Sequence, residues 1–152
     1  MKAFLVALLG FGILQSMTGQ TAVTDPKKNE ALVTIGTMSA LSLYNTYVAI
    51  GAVADAYGRD VYTAQNVGDL MKEQLTILPT AKAQVEKLKY SGYLEDQTDI
   101  DYCQRIMDCL DLLILEAGGL SEYALHGDLD AQLNYANARE DAWELITKIL
   151  QL

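Results

Sequence analysis

Apolar residues recur along much of this chain at alternating spacings of three and four, the rhythm of one helix face. The clearest run is Ile100, Cys103, Met107, Leu110, Ile114, Ala117, Ser121 and Ala124. Val61, Ala64, Gly68, Met71, Leu75 and Leu78 form a second. Leu129, Leu133, Ala136, Trp143, Ile146 and Leu150 form a third. No run of six alternates with period two beside hairpin turns, so strands find no support.

Breakers and capping residues divide the chain into four helical segments. The first opens at Asp25-Pro26, an N-cap followed by the residue favoured at the first helical position. It runs to Tyr57, with Gly58 as its stop. The second runs from near Asp60 to Tyr90, and Pro79 is expected to kink or split it. The third opens at Thr98, with Asp101 as the partner in a capping box. It ends near Leu125, and Gly118-Gly119 mark a bend. The fourth runs from Asp128 almost to Leu152. Short connections make neighbours antiparallel. The expected fold is all-α, an up-down bundle of three to four antiparallel helices after an N-terminal signal peptide.

The first segment stands apart. From Ala31 to Ala54 there is no charged residue over 24 positions. That length suffices to span a bilayer. Thr, Ser, Gly, Ala and Asn45 dilute its hydrophobicity, and small residues also suit close packing in a soluble core. Three placements stay open, the first two being a central helix buried in the bundle, which we expect, and a membrane-embedded helix. A third is an interface helix exposed only before assembly.

The N-terminus changes the compartment. Lys2 precedes twelve apolar residues, Ala3 to Leu14, and then the more polar Ser16-Met17-Thr18-Gly19. Twelve is short for a span and usual for a secretory signal. We therefore expect a signal peptide over residues 1–19 and a single helical-bundle domain over 20–152, with export to the periplasm, cell envelope or medium. Cys103 and Cys109, six apart, would be separated by about 9 Å and about 240° on a helix. That geometry forbids a bridge between them. Two buried thiols, or a bridge to another molecule, remain.

Charge and chemistry narrow the function by exclusion. A net charge of −9 argues against nucleic acid, whose phosphates need clustered Lys and Arg. The chain has one histidine, His126. It therefore cannot supply the paired Glu-x-x-His motifs of a di-iron bundle. Glu122 and His126 lie one turn apart and read as an exposed pair. Glu95, Asp96, Asp99 and Asp101 lack the ordered calcium loop with its central Gly and closing Glu. We expect no catalytic residue, no cofactor and no metal. A bundle would gather Tyr57, Arg59, Asp60, Tyr62, Tyr123 and His126 at one pole. Tyr and Arg suit recognition surfaces, so this pole is the candidate partner-binding site. Tyr90 and Tyr93 would mark the other pole.

Val23-Thr24-Asp25-Pro26 resembles the start of the mature exported helical transfer proteins of bacterial conjugative elements. It is also similar to that of minor pilus subunits of type IV secretion. The stretch from Tyr93 to Asp128 resembles them too. It has an acidic start, a helix carrying Leu112-Leu113-Ile114-Leu115, and a Gly127-Asp128 step. The long basic helix common in those proteins is missing here. The resemblance implies an envelope component that binds other subunits of a machine and performs no chemistry. Its partners would be envelope proteins, or further copies of the chain in a homo-oligomer. Two alternatives stand beside it. One is a bundle binding a small apolar ligand in a cavity lined by Met38, Met71, Met107 and Trp143. The other is a small membrane protein spanning with residues 31–54.

Overall fold

A computed structural model describes residues 26–151; the expected signal segment, 1–19, lies outside them. Four helices follow one another: α1 (Pro26–Gly58), α2 (Ala64–Lys89), α3 (Gln97–His126) and α4 (Leu129–Leu150). They pack as a bundle, and among the described residues there is no strand.

Contacts along the helices fix the direction of the chain. Gly68 faces Leu125, Lys82 meets Asp111 and Lys89 meets Gln104, so α2 runs against α3. Gly119 faces Ala131 and Tyr135, and Glu116 meets Arg139, so α4 also runs against α3. Tyr102 reaches Gly36 and Tyr57 reaches Ala124, which lays α1 parallel to α3.

The caps explain where helices begin. α2 starts at Ala64 rather than near Asp60, because Asp60 holds a left-handed backbone (φ 57) and cannot join the helix. Thr63 caps it instead, in a reciprocal pair with Asn66 that satisfies two free backbone donors. Asp96, not Thr98, caps α3 by accepting from the Thr98 N–H at 2.7 Å. That bond holds the Asp96 carboxyl below its ordinary value. Asp128 caps α4 in the same way. Gly127 ends α3 in the left-handed conformation (φ 69), and its N–H bonds the Tyr123 carbonyl, a conformation glycine adopts without strain.

Neither helix is divided at its breaker residues. α2 runs through Pro79 without interruption; the ring lies on the exposed side of the helix. α3 runs through Gly118 and Gly119. Gly119 is a packing residue: a Cβ there would stand 2.8 Å from the Tyr135 N and 2.9 Å from the Ala131 carbonyl oxygen. The α4 face that meets it is built of Ala131, Ala138 and Ala142, all buried. Small residues on both sides let the two backbones approach. This corrects the expected α4 face, since Leu129 and Leu133 are exposed at 72% and 59%.

The central helix is α3, not α1. It buries Cys103, Ile106, Met107, Cys109, Leu110, Leu113, Ala117, Leu120 and Ala124. Helices α2 and α4 pack closely along it, and α1 rests more lightly across all three. Among the described α1 residues, only Ala40, Leu43 and Ile50 join the buried apolar core. The long uncharged run therefore does not mark a helix buried on all sides. Cys103 and Cys109 are both buried free thiols.

Candidate functional site

Three places in the bundle could carry a function, and each is set by which helix supplies its side chains. The first is internal. Glu116 projects from the middle of α3 and is fully buried. Arg139 of α4 donates from Nη1 to Glu116 Oε1 at 2.6 Å and to the Tyr47 carbonyl at 3.2 Å. Its guanidinium lies 4.0 Å from the Tyr47 ring centroid, against the backbone of Gly51. Tyr47 in turn stacks on Trp143 at 5.5 Å. Glu116 Oε2 has no hydrogen-bond partner. Burial pushes the Glu116 carboxyl up to about 7, against the opposing pull of Arg139. This cluster ties α1, α3 and α4 together through one guanidinium.

The second place is the pole expected from the tyrosines. The structure brings Tyr57 and Tyr123 into an edge-to-face pair at 6.2 Å. The Tyr57 hydroxyl donates to the Ala124 carbonyl at 3.3 Å. Both rings are half-buried, so they pack rather than project. Arg59, Asp60 and Tyr62 are exposed on the α1–α2 turn. His126 is exposed at the end of α3, 3.6 Å from Glu122. At the opposite pole Tyr90 and Tyr93 are exposed beneath Lys89 and Lys28.

The acidic turn between α2 and α3 is occupied with structure. Glu95 pairs with Lys28 at 2.6 Å, and Asp96 is the cap. Among the described residues no group of three or more His, Cys, Asp or Glu could hold a metal ion. The residues expected to line a ligand cavity do not share one. Met71 and Met107 are in the core, whereas Met38 and Trp143 are exposed at 60% and 42%. The apolar recess between α1, α2 and α3, partly open to solvent, holds about 60 Å³ and is lined by Leu32, Val85, Leu94, Tyr102 and Ile106 among others. An apolar cavity that takes benzene is about 150 Å³.

The third place is the outer face of α1. Two stripes run along this helix on opposite sides. Gly36, Ala40, Leu43, Tyr47, Ile50, Ala54 and Tyr57 face inward and are buried or half-buried. Ala31, Thr34, Met38, Leu41, Asn45, Val48 and Ala52 face outward, and all seven are exposed. Val33 and Ile35 add 62% and 48% exposure beside them. The hydroxyls of Thr34, Thr37, Ser42 and Thr46 each donate to the carbonyl four residues back, at 2.8–2.9 Å. Their hydrogens are thus turned into the helix, and the surface is less polar than its composition suggests. No described helix is long and apolar enough to cross a membrane; the span reading of residues 31–54 is not supported. The lack of charge in the sequence singles out this segment but reads as a buried face, and no spacing in the sequence marks the Glu116–Arg139 pair.

Comparison with protein-family models, with curated proteins and with solved structures finds no match.

Proposed function

We propose that this chain is an exported, non-catalytic helical protein that serves as a protein-binding or structural component of the bacterial cell envelope. Its binding surface is the outer face of α1. One observation carries the reading: an uncharged helix face bearing Ile35, Met38, Leu41 and Val48 stands in solvent along the middle of the helix. Contiguous apolar surface of that kind marks interaction sites on folded proteins. The tyrosine pole is the lesser surface, because Tyr57 and Tyr123 spend their rings on each other. Export rests on the charged, then apolar, then small-residue order of residues 1–19. A place in a conjugation or secretion apparatus rests on the resemblance of residues 23–26 and 93–128.

The test is a photo-crosslinking residue placed at Leu41 in cells that make the protein. The expected result is a crosslink to protein in the envelope fraction, lost when the probe moves to the buried position Leu43. No crosslinked protein from Leu41, with the chain present and folded, overturns the reading.

A further inference from the structure

The outward stripe of α1 has the spacing of a coiled-coil seam. Thr34, Met38, Leu41, Asn45, Val48 and Ala52 alternate at four and three, continuing back to Ala31. In heptad terms Ala31, Met38, Asn45 and Ala52 take one core position, and Thr34, Leu41 and Val48 take the other. Gly36, Leu43 and Ile50 fall diametrically opposite, where the helix is fastened to its own bundle. The seam therefore points straight away from the protein. It is about 33 Å long, three heptads of helix.

We infer that this seam pairs with the same seam of a second copy, as a parallel two-stranded contact in register at Asn45. The inference rests on the proposed binding role of α1 and names its partner. Three observations select a second copy. From Thr34 to Ala52 the positions flanking the seam are Ile35, Thr37, Ser42, Tyr44, Ala49 and Gly51, none of them charged; Glu30 lies at the seam's outer end. A partner of opposite charge would find nothing there to recognise, since flanking charges are what set partner choice in coiled coils. The chain as a whole carries −9, so two copies repel except where a surface is neutral, and this strip is neutral along its length. The third is Asn45, a single amide among apolar and small residues at the middle of the stripe. In parallel register it meets its own copy and both amides are satisfied; in an antiparallel pair it faces an apolar side chain. A lone Asn at this position specifies register and a two-stranded state at some loss of affinity.

A single-helix seam of this length is small for an interface. Pairing is then set by mass action and strengthened by salt, which screens the repulsion between the two acidic bodies. The experiment is sedimentation of the purified full chain over a dilution series at low and moderate salt. Leu41→Glu runs in parallel, with circular dichroism as the check on folding. The expected result is a shift from one chain to two with rising concentration, favoured by salt and abolished by Leu41→Glu. A Val48→Cys variant is expected to form a disulfide-linked dimer under mild oxidation. Val33→Cys, exposed but off the seam, is not. The native thiols are buried and stay silent. A wild type that remains a single chain at every concentration, or a Leu41→Glu variant that dimerises equally, overturns the pairing. So does binding to neutral lipid vesicles that depends on Leu41, which would assign the face to a bilayer surface. A single chain in solution together with a Leu41 crosslink to a different envelope protein ends the pairing but leaves the proposed function standing. A single chain in solution with no Leu41 crosslink at all ends both.

Discussion

Arg139 of α4 donates to Glu116 of α3 at 2.6 Å, and the two differ in their access to water: Glu116 is fully buried, whereas the Arg139 side chain is 29% exposed. The carboxylate has no other partner for Oε2. The arginine has two further attachments, the Tyr47 carbonyl and the Tyr47 ring. The pair is therefore asymmetric. Arg139 keeps some solvation when Glu116 is neutral, but Glu116 has nothing else to lean on when it is charged.

That asymmetry predicts a stability that falls as pH rises. The Glu116 carboxyl sits near 7 in the folded chain, against an ordinary value of 4.5, because burial outweighs the help from Arg139. A group raised in the folded state binds its proton more tightly there than in the unfolded chain. Its contribution is full below about 4.5 and is lost as pH rises through about 7. The size is on the order of 3 kcal/mol by linkage. The exposed carboxyls of Glu95, Asp96 and Glu144 are lowered instead, so their contributions are lost only below pH 4 to 5, outside this window. Urea midpoints measured from pH 5 to 8.5 should decline for the wild type and stay nearly flat for Glu116→Gln.

Arg139→Met tests the same pair from the other side. Removing one partner of a buried pair leaves an uncompensated charge, but Glu116 can escape it by taking a proton. For a carboxyl at about 7 that escape costs about 1–2 kcal/mol at pH 8 and almost nothing at pH 5. The variant should therefore fall further below wild type at pH 8 than at pH 5, by about that amount. An equal deficit at both values would mean that lost packing against Tyr47 and Gly51, not charge, is the cause.

Much of the helical layout is legible in the sequence, and the reasons are local. Gly127 stops α3 because glycine takes the left-handed turn without strain, α1 ends where Asp60 turns left-handed just beyond Gly58, and Asp128 caps because its carboxylate reaches the Asp130 N–H. What is not legible is which surface each helix turns inward. Ala31 to Ala54 reads as buried because it lacks charge, yet Thr34, Thr37, Ser42 and Thr46 absorb their own hydroxyls and leave an apolar face in water. α4 reads as facing inward through Leu129 and Leu133, yet its alanines are buried, because Gly119 draws the α3 and α4 backbones together. Glu116, a charge in the centre of the core, follows no pattern of spacing and is seen only once Arg139 is opposite it. Of the expected site residues, Tyr57 and Tyr123 meet as the bundle geometry implied, and the face of α1 needed the structure.

The thiols should be inert in the native protein. Burial raises Cys103, and it pushes Cys109 up to about 12 with a further push from the Glu116 charge. The thiolate is the reactive form, so neither should react with a thiol reagent at pH 8 within the time of a native assay. Both should react fully in denaturant. Rapid native labelling of either would show that the bundle opens around α3.

Adjacent glycines in α3 make the last prediction, because the same substitution should act with opposite sign one residue apart. A Cβ at Gly118 meets nothing within 4 Å. Gly118→Ala should then gain the helix propensity of alanine, about 0.8–1.0 kcal/mol at most. A Cβ at Gly119 meets backbone atoms of Tyr135 and Ala131 at 2.8 and 2.9 Å. Backbone cannot rotate aside as a side chain can, so α4 has to move away from α3. Overpacking of that kind is destabilising by about 1–3 kcal/mol, which outweighs the propensity gain. Moving α4 also lengthens the Arg139–Glu116 bond, so part of the loss should be greater at pH 8 than at pH 5. Thermal unfolding of the two variants beside wild type reads the result as a rise for Gly118→Ala and a fall of several degrees for Gly119→Ala. A fall in both would mean that the helix pair tolerates no added bulk at this level. A rise in both would mean that α4 is not held against α3 at Gly119, and the close approach on which the alanine face of α4 depends would be wrong.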